Sequence, residues 1–187
     1  MALTETTNIP LGFIAPSFEL LNPLTNKKEK LNDLKSNEAT VIVFMCNHCP
    51  YVIHILNQLV EISNEYKQKN VNFIGINSND IISYPEDSPE NMKKLVKDYN
   101  IKFPYLFDET QEVAKAYNAA CTPDFNVFDK NLKCIYRGQM DSSRPGNDKV
   151  IDGKDLRRVI DEILNNKPIS QNQIPSIGCN IKWKQIR

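Results

Sequence analysis

The sequence predicts an α/β fold, a central mixed β-sheet flanked by helices. Residues 39–45 and 71–77 are continuous apolar runs rich in β-branched side chains, as expected of strands buried on both faces. Apolar residues between these runs recur at helical spacing. Farther on, residues 125–129 and 133–138 are predicted strands joined by a short turn. A strand–helix–strand unit is parallel and right-handed, whereas strands joined by a short turn are antiparallel, so the predicted sheet is mixed.

Length and charge limit the class of protein. The 187 residues suit a single domain over residues 1–187, and the 23 basic and 23 acidic residues balance. A chain without net charge has no field that attracts nucleic acid or anionic lipid, so we expect neither as a partner. The longest wholly apolar run, Val41–Cys46, is too short to cross a membrane. The first basic residue is Lys27, so no signal peptide is expected and a cytoplasmic location is predicted.

The first part of the chain is predicted to precede and then enter the sheet. Residues 1–16 are polar and are expected along the surface. Residues 18–21 and 29–31 predict a small N-terminal hairpin across the turn at 22–26. The first buried strand follows at 39–45, and a helix comes after it. Its apolar positions are Val52, Ile55, Leu56, Leu59, Ile62 and Tyr66.

The second part continues the alternation of strands and helices. After the strand at 71–77, helices are predicted around 89–99 and 109–117, before the antiparallel pair. An amphipathic helix follows, with apolar residues at Leu156, Val159, Ile160, Ile163 and Leu164. About the last twenty residues are polar and predict an irregular C-terminal tail.

Cys46 and Cys49 lie at the first strand-to-helix junction. A Cys-x-x-Cys pair at this point of such an element order predicts a thioredoxin-like sandwich. Cysteines three apart at a helix start have Cα atoms roughly 5–6 Å apart, within disulfide range. The unpaired N–H groups of the helix favour a thiolate there, and a protonated His48 would add to that effect. These features predict a catalytic dithiol for thiol–disulfide exchange, with no cofactor.

Pro50 leaves open which cysteine attacks. If proline occupies the first helical position, Cys49 becomes the N-cap and Cys46 lies in the preceding loop. The helix would then favour a thiolate at Cys49 as much as at Cys46. The first cysteine of such motifs is usually the exposed one, so the sequence favours Cys46 as the nucleophile without deciding the question.

Thr122 and Pro123 precede a predicted strand and form the second signal of a redox site. In a thioredoxin-like fold, a cis-proline at this point faces the dithiol. Such a proline lacks a ladder donor, which would leave the backbone of Thr122 free to pair with a bound substrate chain. Thr122 and Pro123 are therefore predicted to bind substrate, and Cys121 is a candidate third thiol near the site.

The non-enzymatic alternative is a protein that senses the redox state or binds zinc. Cys46, Cys49, His48 and His54 could supply ligands, but the sequence has no second ligand pair at the usual spacing. We therefore predict no metal. A chance pair of buried thiols is the other alternative.

Five segments together resemble a known family, the peroxiredoxin-like subgroup of the redoxin (alkyl hydroperoxide reductase/thiol-specific antioxidant) superfamily. The similarity runs from about Gly12 to Lys184. It implies a thioredoxin-like fold, a dithiol site, a cis-Pro123 and a role in redox homeostasis. The segments are APSFEL, FMCNHCPYV, CTPDFNVFD, YRGQMDSSRPGND and PSIGCNIKWK.

The resemblance also introduces a thiol peroxidase as an alternative, with an antioxidant role. Peroxiredoxins carry Pro-x-x-x-Thr-x-x-Cys, which aligns Cys49 with the peroxidatic cysteine, although Cys46 could also serve. Cys46 then replaces the threonine and Ile42 the proline, which counts against efficient peroxidase activity. The family's arginine beside the thiolate could be Arg144 or Arg137.

Two further cysteines complete the inventory. Cys179, in the predicted tail, could fold back and resolve an oxidised thiol, whereas Cys134 lies within a predicted strand and is expected in the core. The preferred function is a thiol–disulfide oxidoreductase. Its partners would be protein or small-molecule disulfides, or peroxides in the alternative, together with an unidentified thiol reductant.

Overall fold

A computed structural model of the chain describes residues 3–185. Within these residues a seven-stranded mixed sheet has the order β3-β2-β6-β5-β4-β8-β9, and a second sheet has the order β1-β10-β7. The strands are β1 (Leu3–Glu5), β2 (Glu19–Asn22), β3 (Lys27–Lys30), β4 (Ala39–Phe44), β5 (Val71–Asn77), β6 (Tyr105–Phe107), β7 (Cys121–Thr122), β8 (Asp124–Asp129), β9 (Cys134–Gly138) and β10 (Ile177–Asn180). The helices are α1 (Leu31–Leu34), α2 (Pro50–Lys67), α3 (Pro89–Asp98), α4 (Glu112–Ala116) and α5 (Lys154–Leu164).

The centre of the large sheet confirms the predicted mixed topology. Strand β4 is buried at every position and lies between β5, which is parallel to it, and β8, which is antiparallel. Because both faces of β4 are covered, its side chains are apolar without alternation, apart from Thr40. The predicted N-terminal hairpin is also confirmed, since β2 and β3 pair antiparallel.

Two apolar cores cover the two faces of this sheet. Val41 and Val43 of β4 point into the core that contains α2, α3 and α5. Ile42 and Phe44 point into the opposite core, which contains the segment before β2 and helix α4. Cys46, Cys49 and Cys179 all belong to the first core, so the sheet separates them from Cys134, which belongs to the second.

The C-terminal tail differs from the prediction in one segment. Residues 177–180 form β10, the middle strand of the small sheet, between β1 and β7. The sequence of this strand, IGCN, has neither β-branched alternation nor length, so no local pattern indicated it. Its two paired neighbours supply the hydrogen bonds that hold it extended. Strand β6, with three residues, was missed for the same reason.

Among the described residues, the helices are each too short or too polar to cross a lipid bilayer.

Truncation of a central β4 side chain tests this arrangement. Ile42 is 0% exposed, and Ile42→Ala should lower the free energy of unfolding by about 2–5 kcal/mol because it leaves a cavity in the core. Ile82→Ala removes the same atoms from a side chain that is 82% exposed, and it should change the free energy by no more than about 0.5 kcal/mol. Urea unfolding followed by circular dichroism measures both. Equal losses would contradict the placement of β4.

Candidate active site

The junction of β4 and α2 places the two cysteines of the motif differently. Pro50 is the first residue of α2, where its missing N–H costs nothing. Cys49 is therefore the N-cap, and its carbonyl accepts from the N–H groups of Val52 and Ile53, both at 3.0 Å. Cys46 lies in the loop between β4 and the helix. The structure therefore has Pro50 at the first helical position, which is the case in which Cys49 is the N-cap.

Three sulfur atoms meet at this junction, and we call Cys46, Cys49 and Cys179 the cysteine cluster. The Sγ atoms of Cys49 and Cys179 are 2.9 Å apart. Cys49 is also hydrogen-bonded to the side chain of Cys46. Cys49 is therefore the central member of the cluster.

All three side chains are shielded from solvent. Exposure is 1% for Cys46, 0% for Cys49 and 4% for Cys179. The expectation that Cys46 would be the exposed cysteine of the pair is therefore wrong for this structure. The paired strands β7 and β10 contribute to this burial, since Thr122 of β7 contacts Cys46 and Cys49, and Cys179 of β10 contacts Cys49.

The surroundings of Cys49 favour its thiolate. Its pKa lies well below the usual thiol value, chiefly because of its hydrogen bond with Cys179, with a further contribution from its hydrogen bond with Cys46. Burial opposes this, whereas the Thr122 side chain and the backbone N–H of Val52 add to it. The Thr122 carbonyl oxygen, 3.1 Å from Cys49 Sγ, suits a thiol instead. Because several hydrogen-bond donors and only one acceptor contact the sulfur of Cys49, its thiolate is favoured over its thiol.

The other two members of the cluster are thiols. The pKa of Cys46 is raised because its proton bonds to Cys49, because it is buried and because Asp87 is near. The pKa of Cys179 is raised by its hydrogen bond to Cys49 and by burial. The cluster therefore holds one negative charge, centred on Cys49, with a proton donor on each side.

His48 is paired with a carboxylate that the sequence did not indicate. Its Nδ1 lies 2.8 Å from Asp87 Oδ2, an ion-pair distance when the imidazole is protonated, and its ring stacks on that of Tyr84. A protonated His48 is therefore compensated by Asp87, so it adds little net positive charge at the cysteines. The tuning role predicted for His48 stays a prediction, whereas Asp87 contributes to the raised pKa of Cys46.

Asp87 is held in place by the loop around it. Its carboxylate accepts from the backbone N–H of Asn47 at 2.7 Å and from the Asn79 side chain at 2.7 Å. It is fully buried, in a 3₁₀ turn at Pro85–Asp87. A carboxylate forty residues from the motif gives no local signal, and only the fold brings it to Cys46.

The four-ligand zinc set is not assembled in the described residues. His54 instead lies 2.8 Å from the Ser143 hydroxyl oxygen. Ligand atoms of Cys46, His48 and Asp87 lie within 4.8 Å of one another, and two of these residues, His48 and Asp87, already pair with each other.

Thr122 and Pro123 face the cluster, and the bond between them is cis. The Thr122 hydroxyl oxygen lies 3.4 Å from Cys46 Sγ. Strand β10 pairs with β7 so that Cys179 is opposite Thr122. The expectation of a free Thr122 backbone is therefore corrected, because the chain's own tail pairs with it.

Cys121 and Cys134 lie outside the cluster. Cys121 is fully buried, and its Sγ lies 3.6 Å from the Pro123 carbonyl oxygen. Burial raises its pKa. Cys134 is buried in the opposite core, as expected, and burial raises its pKa to about 12. Both are thiols of low reactivity in this arrangement.

A family comparison agrees with this geometry. Residues 11–137 match the AhpC/TSA family, which is about two thirds of the chain. The chain belongs to the AhpC/TSA family. The predicted redoxin membership is therefore confirmed.

Relatives of this AhpC/TSA protein include named oxidoreductases. It is 27% identical over 134 residues to the thiol-disulfide oxidoreductase ResA of Bacillus thuringiensis subsp. konkukian, which covers 71% of each chain. It is 53% identical to an uncharacterized conserved protein from Geobacillus kaustophilus, with a TM-score of 0.97 over 100% of this chain and 99% of that one.

The thioredoxin-like fold is confirmed by more distant structures. The thioredoxin domain of a thiol-disulfide oxidoreductase from Bacteroides vulgatus superimposes with a TM-score of 0.63. The two are 17% identical, and the match covers 82% of this chain and 99% of that chain.

The two candidate peroxide-site arginines have other partners. Arg137 donates to the carbonyl oxygens of Tyr117 and Asn118 and pairs with the buried Asp124 at 3.4 Å. Burial raises the pKa of Asp124 to about 6, and Arg137 opposes that rise. These contacts give Arg137 a structural role, since they use its guanidinium away from the cluster.

Arg144 lies close to Pro123, which is predicted from the sequence to bind substrate. It lines a shallow cleft with Tyr51, Pro123 and Ile177. Its guanidinium donates to the carbonyl oxygen of Asp141 and to other acceptors of its own loop. The role of Arg144 as a peroxide-site arginine stays a prediction.

Removing the donors should raise the pKa of Cys49 unequally. Cys179→Ala should raise it more than Cys46→Ala, because Cys179 is the stronger of the two donors. In the wild type the ultraviolet absorbance of the thiolate should persist when the pH falls below the usual thiol pKa of about 8.5. Titration of this absorbance measures the effect, with Cys134→Ala as the unchanged control. A larger rise in Cys46→Ala would contradict the order.

The charge of Asp87 should be detectable at Cys46. Asp87→Asn removes a negative charge that raises the pKa of Cys46, so that pKa should fall. Mass spectrometry of alkylated peptides across a pH series would show the midpoint for Cys46 moving to lower pH. Glu86→Gln is the matched control, because its carboxylate is next in sequence but exposed. The same shift in both variants would show that Asp87 does not act locally.

Proposed function

We propose that this protein is a thiol–disulfide oxidoreductase in which Cys49 is the attacking thiolate and Cys46 the resolving thiol. The observation that carries the proposal is the cysteine cluster, where Cys49 is hydrogen-bonded to both neighbouring cysteines and its Sγ lies 2.9 Å from that of Cys179. Membership of the AhpC/TSA family and the likeness to ResA support the same reaction class.

The reaction proceeds in two exchanges. The Cys49 thiolate attacks one sulfur of a substrate disulfide, and the other sulfur leaves as a thiolate and takes up a proton. Cys46 then gives up its proton and attacks Cys49 Sγ, which releases the second substrate thiolate. The substrate disulfide has gained two electrons, and the protein holds a Cys46–Cys49 disulfide. An external thiol reductant restores the dithiol by the reverse exchanges.

The choice of Cys49 reverses the weaker preference drawn from the sequence. Exposure no longer favours Cys46, because both side chains are buried. Charge favours Cys49, since Asp87 disfavours a thiolate at Cys46 and the helix start favours one at Cys49. The proton on Cys46 is released only in the second exchange, which suits its raised pKa.

Peroxide reduction is the less favoured alternative. A Cys49 thiolate could in principle be oxidised to a sulfenic acid. However, Ile42 and Cys46 occupy the proline and threonine places of the peroxidatic pattern. The named relatives also act as disulfide oxidoreductases. The cytoplasmic location and the antioxidant role stay predictions.

Trapping the mixed disulfide tests the assignment. Wild-type protein should reduce insulin or glutathione disulfide, and Cys49→Ser should fall to the rate without protein. Because Cys46 and Cys179 both contact Cys49, the double variant Cys46→Ser/Cys179→Ser should hold a stable mixed disulfide at Cys49. Mass spectrometry under non-reducing conditions identifies the adduct. Cys134→Ala, with its change in the opposite core, should keep wild-type activity.

Other results of these assays would change or refute the assignment. Full activity in Cys49→Ser together with loss in Cys46→Ser would reverse the two roles. Oxidation of Cys49 by hydrogen peroxide faster than by glutathione disulfide would favour the peroxidase. Failure of the wild type to reduce either disulfide would refute the proposed function.

A further inference from the structure

A strand of the chain's own tail lies where a thioredoxin-like site would receive an extended substrate chain. Strand β10 pairs antiparallel with β7, with Cys179 opposite Thr122 and Asn180 opposite Cys121. Edge pairing of this kind is how extended peptides bind to sheets. The pairing also brings Cys179 Sγ to 2.9 Å from Cys49 Sγ. Cys179 is thus held as the cysteine of a bound substrate would be.

The strand is fastened at both ends. Before it, the Ser176 hydroxyl donates to the Gly138 carbonyl at 2.7 Å, and the Ser176 carbonyl accepts from the N–H of Thr6 at 2.9 Å. After it, the N–H of Ile181 donates to the Ala120 carbonyl at 3.1 Å. These bonds fix the register of β10, so the position of Cys179 against Cys49 is built into the fold.

We propose that Cys179 is a third redox-active cysteine and that β10 is an internal substrate strand that presents it to Cys49. The proposal rests on the proposed exchange at Cys46 and Cys49. It adds a second place for the disulfide, since Cys49 contacts a thiol on either side. One disulfide then joins Cys49 to Cys46, and the other joins Cys49 to Cys179.

The step that connects the two disulfides is an exchange without net oxidation. Starting from the Cys46–Cys49 disulfide, the thiol of Cys179 gives up its proton and its sulfur attacks Cys49 Sγ. The Cys49–Cys179 bond forms as the Cys46–Cys49 bond breaks. Cys46 leaves as a thiolate and takes up a proton, as its raised pKa favours. No external oxidant or reductant takes part.

The pairing of β10 with the edge of β7 also affects how substrates can bind. While β10 is in place, the backbone of Thr122 is paired and offers no edge to another chain. A protein substrate that binds by strand pairing must therefore displace β10.

Mapping the disulfides tests the proposal. Reduced Cys46→Ser protein is treated with one equivalent of diamide, blocked with iodoacetamide and digested without reductant. We expect the intramolecular Cys49–Cys179 disulfide as the main product in mass spectrometry. Cys46→Ser/Cys134→Ala should give the same product, because Cys134 lies across the sheet, and Cys46→Ser/Cys179→Ser should not.

A glycine in β10 provides a variant that changes no cysteine. A Cβ at Gly178 would collide with the carbonyl group of Thr122, so Gly178→Ala should separate β10 from β7. In the Cys46→Ser background the yield of Cys49–Cys179 should then fall about tenfold or more, because the two thiols lose their fixed proximity. Ile174→Ala, on an exposed side chain before β10, should keep the full yield.

The outcomes separate the two proposals. A wild-type circular dichroism spectrum of the Gly178→Ala protein would show that the variant is folded. Absence of the Cys49–Cys179 disulfide in Cys46→Ser, or its replacement by intermolecular dimers, would overturn the role of Cys179. Absence of disulfide reductase activity in the wild-type protein would instead refute the proposed function, whether or not the Cys49–Cys179 disulfide forms.

Discussion

Proline at the first position of α2 makes Cys49 the last residue before the helix, and the chemistry of the site depends on that placement. The helix begins with Pro50, whose missing N–H costs nothing there, so the positive end of the helix dipole lies at Cys49. Cys46 remains in the loop after β4, where it meets Asp87 instead. A difference of three residues thus gives two adjacent thiols opposite electrostatic surroundings.

Burial alone would make all three sulfurs poor nucleophiles, because a thiolate is costly away from water. The cluster avoids this cost for one sulfur by surrounding it with donors, and the other two thiols serve as those donors. The result is a single charge on Cys49 and two protons held beside it. A thiol proton therefore lies close to the site where a thiolate leaves and must be protonated.

The sequence predicted the features that depend on local patterns. The strands β4 and β5 follow from continuous apolar runs, the helix α2 from hydrophobic periodicity, and the junction from the Cys-x-x-Cys motif and Pro50. Asp87 and the strand β10 could not be found in this way. A buried carboxylate in a turn carries no periodic signal, and β10 is extended because of its paired neighbours rather than its side chains. Cys179 was recognised as a candidate, but its contact with Cys49 depends on that pairing.

The placement of β10 in the middle of the small sheet has a consequence at the other end of the chain. Strand β1 pairs with β10 alone among the described strands, with Leu3 opposite Cys179. If β10 leaves β7, the amino-terminal strand must either travel with it or lose its partner. A spectroscopic label near Leu3 would therefore report where the tail lies, without any modification of the cysteines themselves.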